Sequence, residues 1–146
     1  MSHDTEREFS RKDLDLLSKC LAHLDAMLER SKREPDDEAV RDSVVKRFEI
    51  TYELAVQTLL RYPASTAASS IKINGYDFQD LIRKGDQAGL LRTGWPEWKR
   101  YREARNKTVH TYREEIAIEV ATGARDFAEE TRVLFNHLSK RVESDA

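Results

Sequence analysis

Asp13-Leu14-Asp15-Leu16-Leu17-Ser18-Lys19-Cys20-Leu21-Ala22-His23-Leu24-Asp25-Ala26-Met27-Leu28 is the stretch whose reading decides the fold. Leu14, Leu17, Leu21, Leu24 and Leu28 recur in steps of three and four. That period puts one apolar stripe along a helix and leaves charged side chains on the other faces. Ser10 with Asp13 predicts where this helix starts, and Pro35 with Asp36-Asp37-Glu38 closes it and opens the next.

Outward from there the same period continues. A second helix is expected from about Asp37 to Arg61, with Val40, Val44, Phe48, Tyr52, Ala55 and Leu59 inward and Pro63 as its end. The small and polar residues 64–74 read as a loop closed by the Asn74-Gly75 turn signal. A shorter helix follows from about Asp77 to Ala88, with Phe78, Leu81 and Ile82 inward and Gly89 as its stop. Pro96 suits the first position of a fourth helix that carries Trp95, Trp98, Tyr101 and Ala104 to about Val109. Thr111-Tyr112-Arg113-Glu114 has the form of a capping box and predicts a last helix beginning just after His110. Its inward stripe runs through Ile116, Val120, Ala124, Phe127, Thr131, Leu134, Leu138 and Val142. The expectation is an all-α protein, an antiparallel up-and-down bundle of four to five helices. It is one domain over 1–146, with flexible tails at about 1–9 and 143–146.

Composition agrees and narrows the function classes. In 146 residues, 39% are apolar and 36% charged, which supplies one core under a heavily charged surface. Five Gly and three Pro are too few for a turn-rich β fold. A formal net charge of −2 gives no overall pull towards nucleic acid or an anionic membrane, although a local basic patch stays open. No apolar run approaches the roughly 18 residues of a membrane span, and Met1 to Phe9 lack a signal-peptide apolar region. Cys20, the one cysteine, reads as a small hydrophobe among leucines and fits a reducing compartment, so a cytoplasmic location is expected. His3, His23 and His137 are scattered and show no ligand spacing, so neither a metal nor another cofactor is expected.

Chemistry concentrates in Arg105-Asn106-Lys107-Thr108-Val109-His110-Thr111-Tyr112. Asn106 and His110 are four apart and share a helix face, whereas Arg105 and His110 sit roughly 140° apart on an ideal helix. A helix end near His110, or a second copy across a symmetric interface, can bring the two together. An imidazole moves protons near neutral pH, a guanidinium grips phosphoryl oxygens in pairs, and a polar amide orients either partner. Such a set suffices for metal-free cleavage of an RNA phosphodiester. Lys99, Arg102 and Lys107, with Arg100, form a cationic run that suits either phosphate contacts or a solvated face. Glu49, Tyr52 and Glu53 are polar residues on a mostly apolar helix, candidates to line a cleft or an interface between copies. Each has a plainer alternative. His110 can serve as a C-terminal helix cation, Arg105 as an ion-pair partner of Glu103 or Asp126, and Tyr112 as a packing residue. Trp95, Trp98 and Tyr101 read as core and interface rather than as base-stacking platforms.

Arg-Asn-x-x-x-His-x-Tyr near a helix end resembles the HEPN family (higher eukaryotes and prokaryotes nucleotide-binding). The likeness is to its small bacterial members encoded beside a minimal nucleotidyltransferase, the nucleotidyltransferase substrate-binding proteins or HepT-type toxins. It extends to Lys46-Arg47-Phe48-Glu49 with Tyr52-Glu53-Leu54, to Gly75-Tyr76-Asp77-Phe78 with Asp80-Leu81-Ile82-Arg83, and to Trp98 and Tyr101-Arg102. Residues before about 40 match only as an amphipathic helix. The resemblance implies a dimerising helical bundle whose Arg105 and His110 are the catalytic pair, with Asn106 as the accompanying polar residue. It also implies Tyr112 as the acceptor of AMP from a partner nucleotidyltransferase acting as antitoxin, and RNA as substrate. The alternative it allows is a non-catalytic nucleotide- or substrate-binding subunit. The chain has no Gly-Ser followed by paired aspartates of the kind such a transferase needs for its metal, so the transferase would be another polypeptide. A bundle with no ligand is the plainest reading.

Overall fold

The computed structural model describes 2–62 and 75–144, with side chains from 11 to 62 and from 77 to 144. The expected loop at 64–74 and the turn at Asn74 lie outside the described residues. Among the described residues five α-helices follow in order: α1 (Ser2–Arg33), α2 (Glu38–Arg61), α3 (Gly75–Gln87), α4 (Trp95–Lys107) and α5 (Glu114–Ser144). A 3-10 turn, Thr108–His110, joins the last two. No strand occurs among the described residues, and none of their helices is long and apolar enough to cross a membrane. The fold is all-α.

Helix ends follow local chemistry. Asp37 caps α2, its Oδ1 accepting from the amides of Ala39 at 2.9 Å and Val40 at 3.2 Å. Gly89 stops the helical run after α3 in the left-handed region, at φ 73°. There the amide of Leu90 donates to Gly85 O and that of Gly89 to Asp86 O, both at 3.0 Å, which closes the orphan carbonyls of the last turn. Two ends differ from the sequence expectation. Helix α1 starts at Ser2 rather than near Ser10, so the stretch expected as an N-terminal tail is helical from there. At the other terminus α5 runs to Ser144, into the stretch expected as a tail from about 143. The capping box is not made either. Thr111 has helical backbone angles, its hydroxyl donates back to Thr108 O at 3.1 Å, and α5 begins only at Glu114.

Helices α1 and α2 run antiparallel, tied at one end by Asp13 with Arg61 at 3.3 Å and further along by Thr51 Oγ1 with Cys20 O at 3.4 Å. Asp25 and Arg132 tie α1 to α5 at 2.9 Å. The expected inward stripes of α1, α2 and α3 are buried together, with the middle of α5. At the ends of the α5 stripe, Ile116 and Val142 are half-buried and pack against that core. Cys20 is half-buried, and burial pushes its thiol up against the smaller opposite pull of Arg47. At the centre Phe127 meets Phe48 edge-on at 5.3 Å and Tyr101 at 5.2 Å, while Trp98 meets Tyr101 at 5.4 Å. Trp98 and Tyr101 are therefore core, and half-buried Trp95 packs on Phe78 at 5.8 Å.

One buried charge organises the connection into α4. Glu130 is fully buried on α5 and accepts from the amides of Arg92 at 2.7 Å and Thr93 at 3.3 Å, from the Thr93 hydroxyl, and from Tyr101 Oη at 3.4 Å. Several donors on one carboxylate are what makes such a burial tolerable. Burial, and then the Glu130 charge, push the Tyr101 phenol up to about 12. Together these contacts fix where α4 begins, and with it the direction in which its last turn points.

Candidate active site

Helix α4 ends where Thr108 turns the chain. The Thr108 amide closes on Arg105 O, and its hydroxyl lies 2.7 Å from that carbonyl and 2.8 Å from Glu49 Oε2 on α2. A side chain of α2 thus joins the local turn and holds the 3-10 segment that carries His110. The Arg113 amide then donates to His110 O at 3.0 Å, and α5 departs from there.

Arg105 turns towards α2. Its Nε donates to Glu53 Oε1 at 2.5 Å, in a pair whose side chains are 34% and 45% exposed. The expected partners Glu103 and Asp126 are not used; the carboxylate comes from another helix. Glu49 sits one turn before Glu53, with Oε1 3.1 Å from Lys46 Nζ. The Thr108 hydroxyl, then Lys46 and Arg105, hold the Glu49 carboxyl below the usual carboxylate range against the opposing effect of burial. Of the three α2 residues singled out in the sequence, Glu49 and Glu53 face this junction. Tyr52 instead is buried against Phe48, Phe78 and Phe127, and burial raises its phenol strongly.

His110 is exposed, and its ring meets that of Tyr112 edge-on at 6.0 Å. Tyr112 is 80% exposed and Val109 64%, so the turn presents an aromatic and an aliphatic side chain to solvent. Asn106 is exposed as well. Within this chain the imidazole is turned to Tyr112 and the guanidinium to Glu53, and no hydrogen bond joins the two among the described residues.

The cationic run divides. Arg102 lies over the Phe78 ring, 4.9 Å from its centre. Lys107 pairs with Glu119 at 2.9 Å and, with Arg100, borders a groove of about 220 Å³ between α4 and α5. Lys99 is exposed, and its spacing to Arg102 and Asn106 places these three on one helix face. Sequence reasoning missed Thr108 and Glu130. Thr108 gives no signal of its own, whereas Glu130 is an acidic residue three after Phe127, in the inward register of α5. No group of three or more His, Cys, Asp or Glu side chains able to hold a metal ion lies among the described residues.

The family model described as nucleotidyltransferase substrate binding protein like matches residues 12–140. A protein of Haemophilus influenzae described as a probable ribonuclease HepT is 33% identical over 101 residues, covering 69% of this chain and 68% of that protein. A solved structure from the same organism, described as revealing the fold of a substrate binding domain of a nucleotidyltransferase, superposes with a TM-score of 0.71. It is 24% identical and covers 86% of this chain and 98% of its own, a likeness that bears on the fold. With its helical bundle and its Arg105-to-Tyr112 segment at the α4–α5 junction, the chain belongs to the nucleotidyltransferase substrate-binding-protein-like family, of the HepT type.

Proposed function

We propose that this protein is the toxin of a toxin–antitoxin pair, a metal-independent endoribonuclease that works as a homodimer and is regulated by a separately encoded minimal nucleotidyltransferase. The observation that carries the reading is the presentation of Arg105. Its guanidinium is anchored through Nε alone, and among the described residues its outer N–H groups make no hydrogen bond. Five residues on, the imidazole of His110 stands exposed on the 3-10 turn. A phosphate oxygen pair fits the free fork, and the imidazole is placed to move a proton.

In this mechanism His110 takes the proton of a ribose 2′-hydroxyl as that oxygen attacks the adjacent phosphorus. Arg105 holds the charge that develops on the phosphoryl oxygens. The 5′-oxygen leaves with a proton from the second imidazole or from water, giving a 2′,3′-cyclic phosphate and a 5′-hydroxyl end. Because the two groups of one protomer face different neighbours, two copies meeting at the junction would complete the site. Asn106 orients the scissile phosphate, and Lys99 and Arg102 on the same face contact flanking phosphates. Lys107 offers a weaker contact because Glu119 already engages it. Tyr112 is the regulatory acceptor of AMP: its oxygen attacks the α-phosphorus of ATP, pyrophosphate leaves, and the added phosphate blocks the cleft. The protein acts in the cytoplasm, where its lone thiol stays reduced.

The likeness to a nucleotidyltransferase substrate-binding domain favours a second reading, a non-catalytic subunit that presents substrate to that enzyme. Purified protein incubated with RNA and a chelator separates the two. Cleavage lost in His110→Ala supports the nuclease. Cleavage unchanged by that substitution removes it, and complex formation with no cleavage at any concentration favours the binding subunit.

A further inference from the structure

Glu49 and Glu53 are four apart on α2 and share one face, which is turned to the end of α4. Each contacts a different part of the junction. Glu53 Oε1 takes the inner donor of Arg105, Nε, at 2.5 Å. Glu49 Oε2 lies 2.8 Å from the hydroxyl of Thr108, the residue that opens the 3-10 turn leading to His110. We propose that this carboxylate pair is the positioning device of the site: Glu53 aims the Arg105 fork and Glu49, through Thr108, sets the turn that carries His110. The proposal rests on the nuclease reading and adds residues to it.

The geometry favours aiming over simple stabilisation. A guanidinium has five N–H donors in a fixed plane. A carboxylate on Nε stops rotation of that plane and leaves the outer N–H pair directed away, the edge that meets two phosphoryl oxygens at once. A half-exposed pair of this kind contributes only about 0–1 kcal/mol to stability. Holding one plane, however, removes the orientational freedom that a reacting group would otherwise lose at the transition state. Thr108 links the two halves, since its hydroxyl also touches the carbonyl of Arg105 itself. The competing role for Glu53 is that of an internal substitute for phosphate, occupying Arg105 until RNA displaces it. The two roles have opposite signs, because an aiming group is lost at a cost in rate, whereas a competitor is lost with a gain in affinity.

The test uses the full chain with Glu53→Ala, Glu53→Gln and Thr108→Val, a short RNA, and the 15N-detected Nε–H signal of Arg105 in RNA-free protein. Glu53→Ala is expected to lower kcat by about a hundredfold with KM changed only a few-fold. The amide oxygen of Glu53→Gln still accepts from Nε, so that variant should recover most of the rate. Thr108→Val should lower kcat while leaving the Arg105 signal in place. Thermal midpoints should stay close to wild type, because these side chains lie outside the core. The Nε–H proton should exchange slowly in wild type and in Glu53→Gln, and quickly in Glu53→Ala. Glu53→Ala cutting RNA as fast as wild type or faster, or Nε–H exchange unaltered by it, overturns the proposal. Should wild-type protein cut no RNA, the nuclease reading falls, and the Nε–H exchange alone decides whether Glu53 holds Arg105.

Discussion

Phe48 and Tyr52 on α2 pack into the aromatic centre around Phe127, whereas Glu49 and Glu53, each the next residue along, face the half-exposed end of α4. A single step of about 100° around the helix therefore separates the dry region from the candidate site. In the dry region position is set by close packing, and every lost atom leaves a void. At the junction it is set by polar contacts that are cheap in free energy but strict in direction. Stability and chemistry should accordingly respond to different substitutions, even where those substitutions are adjacent in the chain.

The largest expected effect is on rate. His110→Ala should slow RNA cleavage by about 10²–10⁴-fold, read by single-turnover cutting, with the thermal midpoint unchanged because the imidazole is exposed. A large drop in melting temperature would break the comparison by making His110 structural. Phe127→Ala is the counterpart in the dry region and should cost about 3–5 kcal/mol in denaturant unfolding, since Phe127 is fully buried among four aromatic rings. Any protein that remains folded should keep its cutting rate.

A smaller effect sharpens the electrostatic side. The Glu49 carboxyl is depressed in the folded protein, chiefly by the Thr108 hydroxyl. Its stabilising contribution is therefore present above the unfolded value of about 4.3 and is lost as pH falls through the folded value below it. Unfolding curves of wild type and Glu49→Gln should differ near neutrality and converge under acid. A constant offset down to low pH would count against the ionised contact. Smallest is Gly123→Ala. A Cβ there meets nothing within 4 Å, so relief of glycine's backbone freedom inside α5 should stabilise by about 0.5–1 kcal/mol. No change in cutting is expected, because the added Cβ touches no side chain of the site.

Much of the fold could be read in advance because its signals are local. The Leu14-to-Leu28 stripe, the helix start near Asp37 and the Gly89 stop each depend on residues within a turn or two. The Thr111-to-Glu114 box misled for a related reason: it is a local signal, but a competing local bond from Thr111 to Thr108 O won, inside a turn already held by Glu49. Tyr52 carried two readings, inward on the α2 stripe and at a cleft, because a phenol suits either; its packing against Phe127 bears out the first.

Residue order alone specified five amphipathic helices and marked the segment from Arg105 to Tyr112, since periodicity and motif are properties of neighbouring residues. Tertiary structure decided that Arg105 meets Glu53 on another helix instead of Glu103 or Asp126, that Thr108 meets Glu49, and that Lys107 faces away towards Glu119. Those choices depend on how helices cross and rotate against one another. The packing of the shared core sets those angles, and no single helix carries that information.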